Sequence, residues 1–171
     1  ASPLPSDAAA GDGCSSKGRY LARTVQPASA GDQRIDISYY RLDLRIDPVN
    51  RSLNGAVDIV ATSLVDSLDS VTLDLSSTMT IDSVRQQASP LSVTRYPSSF
   101  TVRLARVCKR GEVLTLRVSY RGTPGTTGFG SFVFASLTEG DWIWSLSQPY
   151  GARDWWPDAL PGDRRVVFTA F

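Results

Sequence analysis

The groups best placed to do chemistry crowd into the run from Trp144 to Pro157, Trp-Ser-Leu-Ser-Gln-Pro-Tyr-Gly-Ala-Arg-Asp-Trp-Trp-Pro. Gln148 closes an alternating segment and precedes Pro149, so its carboxamide rides on a backbone with little freedom. An amide held there offers a neutral oxygen acceptor. It serves either to satisfy backbone groups at the strand end or to receive a hydrogen bond from a ligand. Arg153 and Asp154 invite an ion-pair reading, although sequence neighbours point apart in a strand and meet only in a turn. Trp155 and Trp156, followed by Pro157, bring more aromatic surface than a solvated connection carries, so something must cover them. A stacked ligand is one candidate and packing at a domain interface is the other.

What the chain lacks is equally informative. It has no histidine and only two cysteines, Cys14 and Cys108, far apart in the sequence. Hydrolytic zinc sites draw mainly on His and Cys, so no metal centre is expected from these residues alone. Ser-His-Asp and Cys-His catalysis and any histidine pH switch are excluded as well. Lys and Arg total 18 against 17 acidic residues, a net charge of +1 scattered without runs. That balance argues against a nucleic-acid groove or an anionic membrane surface as partner. No apolar run approaches the length that crosses a bilayer, so no membrane span is expected.

The elements that must position these groups read as short strands. Residues 1–33, rich in Ala, Ser, Gly, Pro and Asp, read as a leader, flexible or loosely packed; residues 34–171 read as one domain. Ile37 and Tyr39, then Leu42, Leu44 and Ile46, alternate with charged residues, and the change of phase predicts a bulge at Tyr40. Val57, Ile59 and Ala61 continue the period of two. In the run from Val71 to Leu75, Leu73 and Leu75 take one face and Thr72 and Asp74 the other. Val93 and Phe100 flank a hairpin loop at Tyr96-Pro-Ser-Ser, and Leu114 to Tyr120 alternate again. Gly122 to Gly130 lacks the Lys-Ser/Thr ending and following helix of a phosphate loop and reads as a connector. It leads to strands at Phe132 and Trp142, and Val166 to Phe171 starts one more. No helical period persists, so the fold class is all-β: an antiparallel β-sandwich or twisted, saddle-like sheets.

Three stretches carry a family resemblance. Gln148-Pro-x-x-Ala-Arg153 with Trp156-Pro157, the run from Ile37 to Asp47, and Tyr120-Arg-Gly-Thr-Pro124 occur in the order found in the gluzincin aminopeptidases. The chain thus resembles, from about Ile35 to about Pro161, the N-terminal domain of the zinc-dependent, HExxH-type aminopeptidase N family. One departure stands after Pro157, where the family has Cys and an acidic turn and this chain has Asp158-Ala-Leu-Pro-Gly-Asp.

The resemblance implies a β-domain without its catalytic domain, which would be its partner and would carry the zinc. The cofactor is therefore implied for the full-length protein and not for this chain. It implies further that Gln148 accepts a hydrogen bond from the free α-amino group of a peptide substrate, an acceptor by which an exopeptidase counts from the N-terminus. Arg153 is expected to order the segment by bonding carbonyls or a carboxylate, and Trp155, Trp156 and Pro157 to be structural or to pack at the interface. The alternative is a free-standing β-sandwich that binds carbohydrate or protein through Trp142, Trp144, Trp155 and Trp156. Cys14 and Cys108 are expected either to pair or to remain free thiols. Pairing would stabilise by up to ~5 kcal/mol in an oxidising compartment. The start of the chain reads as a mature terminus of a secreted, periplasmic or extracellular protein.

Overall fold

A computed structural model describes residues 31–127, 130–138, 140–147, 150–159 and 165–170, the last of these as backbone only. Among the described residues eleven strands carry the fold: β1 (Ile35–Asp47), β2 (Ser52–Ser63), β3 (Leu68–Asp74), β4 (Met79–Gln86), β5 (Ser89–Pro90), β6 (Val93–Arg95), β7 (Ser99–Cys108), β8 (Val113–Gly122), β9 (Phe132–Leu137), β10 (Gly140–Ser145) and β11 (Arg165–Ala170). A 3₁₀ turn spans Ala152–Asp154. The large sheet has the order β11-β1-β2-β8-β4-β5, a smaller one the order β3-β7-β6, and β9 and β10 form a hairpin of their own. The predicted all-β fold is what is found, with one addition: β11 runs parallel to β1. A parallel neighbour cannot be reached through a tight turn, so local turn chemistry gave no sign of it.

The core follows from the period of two. Ile37, Tyr40, Leu42 and Leu44 of β1 pack with Val57 and Ile59 of β2, Leu116 and Val118 of β8, and Phe100 and Val102 of β7, all but closed to solvent. Each such side chain contributes about 1.5–3 kcal/mol of burial. The opposite face of the large sheet is charged and wet. Arg117 of β8 reaches Asp58 of β2 at 2.7 Å and Asp43 of β1 at 3.5 Å. Such half-exposed cross-strand pairs contribute roughly 0–1 kcal/mol and keep that face in water.

One local expectation is corrected, and two local details are added. The register of β1 against β2 slips between Ile37 and Tyr39, so the bulge lies at Ser38, and Tyr40 is the first residue of the new inward phase. Asp74, on the face of β3 opposite Leu73, is buried, and its backbone bridges to Asp158 from beyond the sheet. Asp32, on the leader side of the expected boundary, is already tied into the sandwich: its carboxylate accepts the Thr72 N–H at 2.9 Å and the Arg34 guanidinium at 2.8 Å. Residues 1–30 of the leader, Cys14 among them, lie outside the described residues. The proposed partner thiol, Cys108, is buried at the end of β7. No helix among the described residues is long and apolar enough to cross a membrane.

Candidate functional site

The segment that follows the β9–β10 hairpin is folded back against both sheets. Ser76 donates its N–H to the Arg153 carbonyl at 2.8 Å, and Asp74 and Asp158 exchange backbone bonds at 2.6 and 3.0 Å. From β1, the Tyr40 hydroxyl donates to Asp158 Oδ1 at 2.7 Å and accepts the Ala159 N–H at 3.1 Å. One buried phenol thus fixes this segment to the large sheet while Asp74 fixes it to the small one. Neither link was read from the sequence; Tyr40 and Asp158 are too far apart in the chain for any local pattern to join them.

Trp155 and Trp156 turn inward. Trp155 is 4% exposed and Trp156 8%, and Pro157 is buried with them. The 3₁₀ turn makes this possible: the N–H groups of both tryptophans donate to the Ala152 carbonyl, which rolls two sequence neighbours out of strand geometry. Their rings meet at 4.4 Å, edge to face; Trp155 continues to Phe132 at 5.0 Å and Trp156 to Tyr40 at 6.4 Å. The Trp155 indole N–H donates to Ser147 Oγ at 3.0 Å. The cover that this aromatic pair requires is therefore the chain's own core, so these residues are structural here.

Trp142 and Trp144 behave differently. Every residue of β10 is exposed, Trp142 by 57% and Trp144 by 44%. In the hairpin register Trp142 faces Ala135, Trp144 faces Val133 and Gly140 faces Leu137, so one face carries two indoles, three aliphatic side chains and no charge. The other face is anchored by Phe132 and Phe134, whose rings meet at 5.2 Å. Trp144 lies against Gly130, at φ +94°, where a Cβ would come within 2.9 Å of the indole. The four-tryptophan surface expected for a binding module is thus split, two in the core and two outside.

Gln148 and Pro149 lie outside the described residues. Their flanks are held: Gly151 donates its N–H to the Ser147 carbonyl at 2.7 Å, and Leu146 donates to the Ser131 carbonyl at 3.2 Å. Arg153 differs from expectation in how it acts. Its carbonyl bonds Ser76, whereas its half-buried guanidinium makes no hydrogen bond or ion pair among the described residues. Asp154 does not pair with it. The buried Asp154 carboxylate accepts from the Thr127 and Ser131 hydroxyls and from the Thr127 N–H at 3.2 Å. Thr127 and Ser131 went unnoticed in the sequence because a glycine-rich loop offers no periodicity; the two hydroxyls within it were the available sign.

With no histidine in the sequence, three His, Cys, Asp or Glu side chains that could hold a metal do not gather anywhere among the described residues.

No family sequence model matches the chain, and no curated protein sequence does. Solved structures do match. A two-domain M1 zinc metallopeptidase bound to L-arginine aligns at a TM-score of 0.69 and 24% identity, covering 88% of this chain and 34% of the other. The M1 zinc metallopeptidase from Deinococcus radiodurans aligns at 0.68 and 24%, over 83% and 33%. Yeast LTA4 hydrolase aligns at 0.66 and 18%, over 92% and 26%. The chain therefore has a fold found within M1 zinc metallopeptidases, and it spans about a third of the length of the first two.

Proposed function

We propose that this chain is the N-terminal β-domain of a zinc-dependent aminopeptidase, that it helps to bind the free amino end of a peptide, and that it packs on a catalytic domain carrying the metal. The observation that supports this most is the likeness to M1 zinc metallopeptidases over 88% of the chain and only 34% of theirs. In this reading the zinc and its ligands belong to the catalytic domain, and the contribution of this chain is recognition. Gln148 is the recognition residue. An acceptor for the α-ammonium favours substrates that begin at the scissile residue over those whose amino group is blocked. What supports Gln148 is its match, with Pro149 and Arg153, to the family motif in the sequence.

The domain contact in this reading is the uncharged Trp142–Trp144 face of the hairpin. Interface cores are enriched in aromatic residues and poor in charge, and the charged face of the large sheet lacks both properties. Residence outside the cytosol belongs to the same reading; Cys108 itself is a buried free thiol. A free-standing carbohydrate or protein-binding module keeps only Trp142 and Trp144 of its expected surface.

The test is turnover by the full-length protein of an aminoacyl substrate with a free amino group against its N-acetylated form. The free form is expected to be strongly preferred, and Gln148→Ala is expected to cut kcat/KM for it by about tenfold, roughly the loss of one hydrogen bond to a charged group. Equal turnover of the two forms, or an unchanged Gln148→Ala, counts against the reading.

A further inference from the structure

A strand at the edge of a sheet offers unpaired N–H and C=O groups to any extended chain that reaches it, and folded proteins blunt such edges. Three edges among the described residues are blunted. β5 has only two residues, one of them Pro90, and β6 only three. On β3 the Asp32 carboxylate takes the Thr72 N–H at 2.9 Å, and the Arg34 guanidinium donates to the Ser70 carbonyl at 3.0 Å.

β10 has no such protection. It runs six residues in unbroken antiparallel register with β9 and pairs with no other strand among the described residues. It holds no proline, lysine or arginine, and each of its residues is exposed, whereas β9 begins at the buried Phe132 and continues half-buried. Leu146 donates its N–H to the Ser131 carbonyl at 3.2 Å, in step with the pairing of Trp144 with Val133 and of Trp142 with Ala135. Hydrogen-bonded and non-hydrogen-bonded pairs alternate along an antiparallel ladder. Trp142 and Trp144 therefore turn their backbone groups to β9, while Asp141, Ile143 and Ser145 turn theirs outward. A depression lined by Pro48, Arg51, Phe134 and Ile143 lies beside the same strand, a place for one side chain of an added strand. A ribbon of two strands is marginal alone, and a third would complete it.

We propose that Asp141, Ile143 and Ser145 form a pairing edge for an extended strand from the remainder of a longer protein. That strand carries aromatic or β-branched side chains beside Trp142 and Trp144, the cross-strand neighbours that indoles favour. Two observations favour this occupant. The chain spans only 34% of the first matched metallopeptidase, so most of such a protein is supplied from elsewhere. The edge is also continuous with the uncharged indole face proposed above as the domain contact. The inference rests on that reading for the existence of the remainder, and it adds the backbone groups by which the remainder is held.

Hydrogen exchange in the chain and in the full-length protein tests it. In the dilute chain the Asp141, Ile143 and Ser145 amides are expected to exchange faster than those of Trp142 and Trp144. In the full-length protein the three are expected to slow by about tenfold or more and to match Trp142 and Trp144. Iodide quenching of tryptophan fluorescence reports the indole face in the same samples. Indoles shielded in the full-length protein while the three amides stay fast mean that the face is covered and the edge is not, which overturns the pairing. Amides that slow only when a peptide substrate is added, or in the chain alone as its concentration rises, also overturn it, since the edge then belongs to the substrate or to a second copy. Slow amides in a full-length protein without aminopeptidase activity uphold the pairing and overturn the proposed function instead.

Discussion

Asp32 illustrates how one carboxylate can join the approach to a strand to a neighbouring sheet. Burial acts most strongly on it and would raise its carboxyl, yet the Arg34 guanidinium and the Thr72 and Arg34 N–H groups together hold it below the usual carboxylate range. A folded value below the unfolded one means that its contribution is fully present above the unfolded pKa near ~3.9. That contribution is lost as pH falls through the folded value. Asp32→Asn is accordingly expected to destabilise by about 1 kcal/mol at neutral pH. The gap between wild type and variant in Tm should close on acidification from roughly pH 5 to pH 2. A gap that holds constant across that range would show that the charge is irrelevant to the link. Residues of this kind were invisible in the sequence: Asp32 sat in a polar stretch, and its partner Thr72 lies on another strand.

At the scale of elements, the β9–β10 hairpin is the part that does not share the sandwich's logic. Two-stranded ribbons are marginal alone, and this one is held by Phe132 and by the bonds at its base while its tryptophan face stays open. The two ends of that arrangement respond differently to substitution. Trp142→Ser with Trp144→Ser is expected to leave the Tm of the isolated chain nearly unchanged, within about 0.5 kcal/mol, and to abolish its binding of an apolar fluorescent dye. Phe132→Ala is expected to cost about 3–5 kcal/mol. A double variant that unfolds as readily as Phe132→Ala would mean that the exposed indoles belong to the core after all. Sequence alternation gave both strands but could not say which pair of tryptophans turned inward, because that depends on a 3₁₀ turn between residues ten positions away.

At the scale of the molecule, recognition and reaction belong to different parts of a longer protein in the function proposed here. A zinc-supplemented preparation of this chain alone is expected to give no turnover of aminoacyl reporter substrates, whatever the pH. Turnover that persists in homogeneous material would mean that a catalytic centre forms from these residues, against the absence of histidine from the sequence.

By itself the sequence determined what depends on neighbours in the chain. The period of two along β1, β2 and β8 names the core side chains, because burial on one face of a strand is a local pattern. The composition rules out histidine chemistry outright. Tertiary structure alone decided what depends on residues distant in the chain: the parallel pairing of β11 with β1, the Tyr40–Asp158 bond, the inward roll of Trp155 and Trp156, and the grip of Thr127 and Ser131 on Asp154. A hydrogen bond between groups many residues apart leaves no periodicity in the sequence, and which polar side chains find one another is settled only when the sheets have closed.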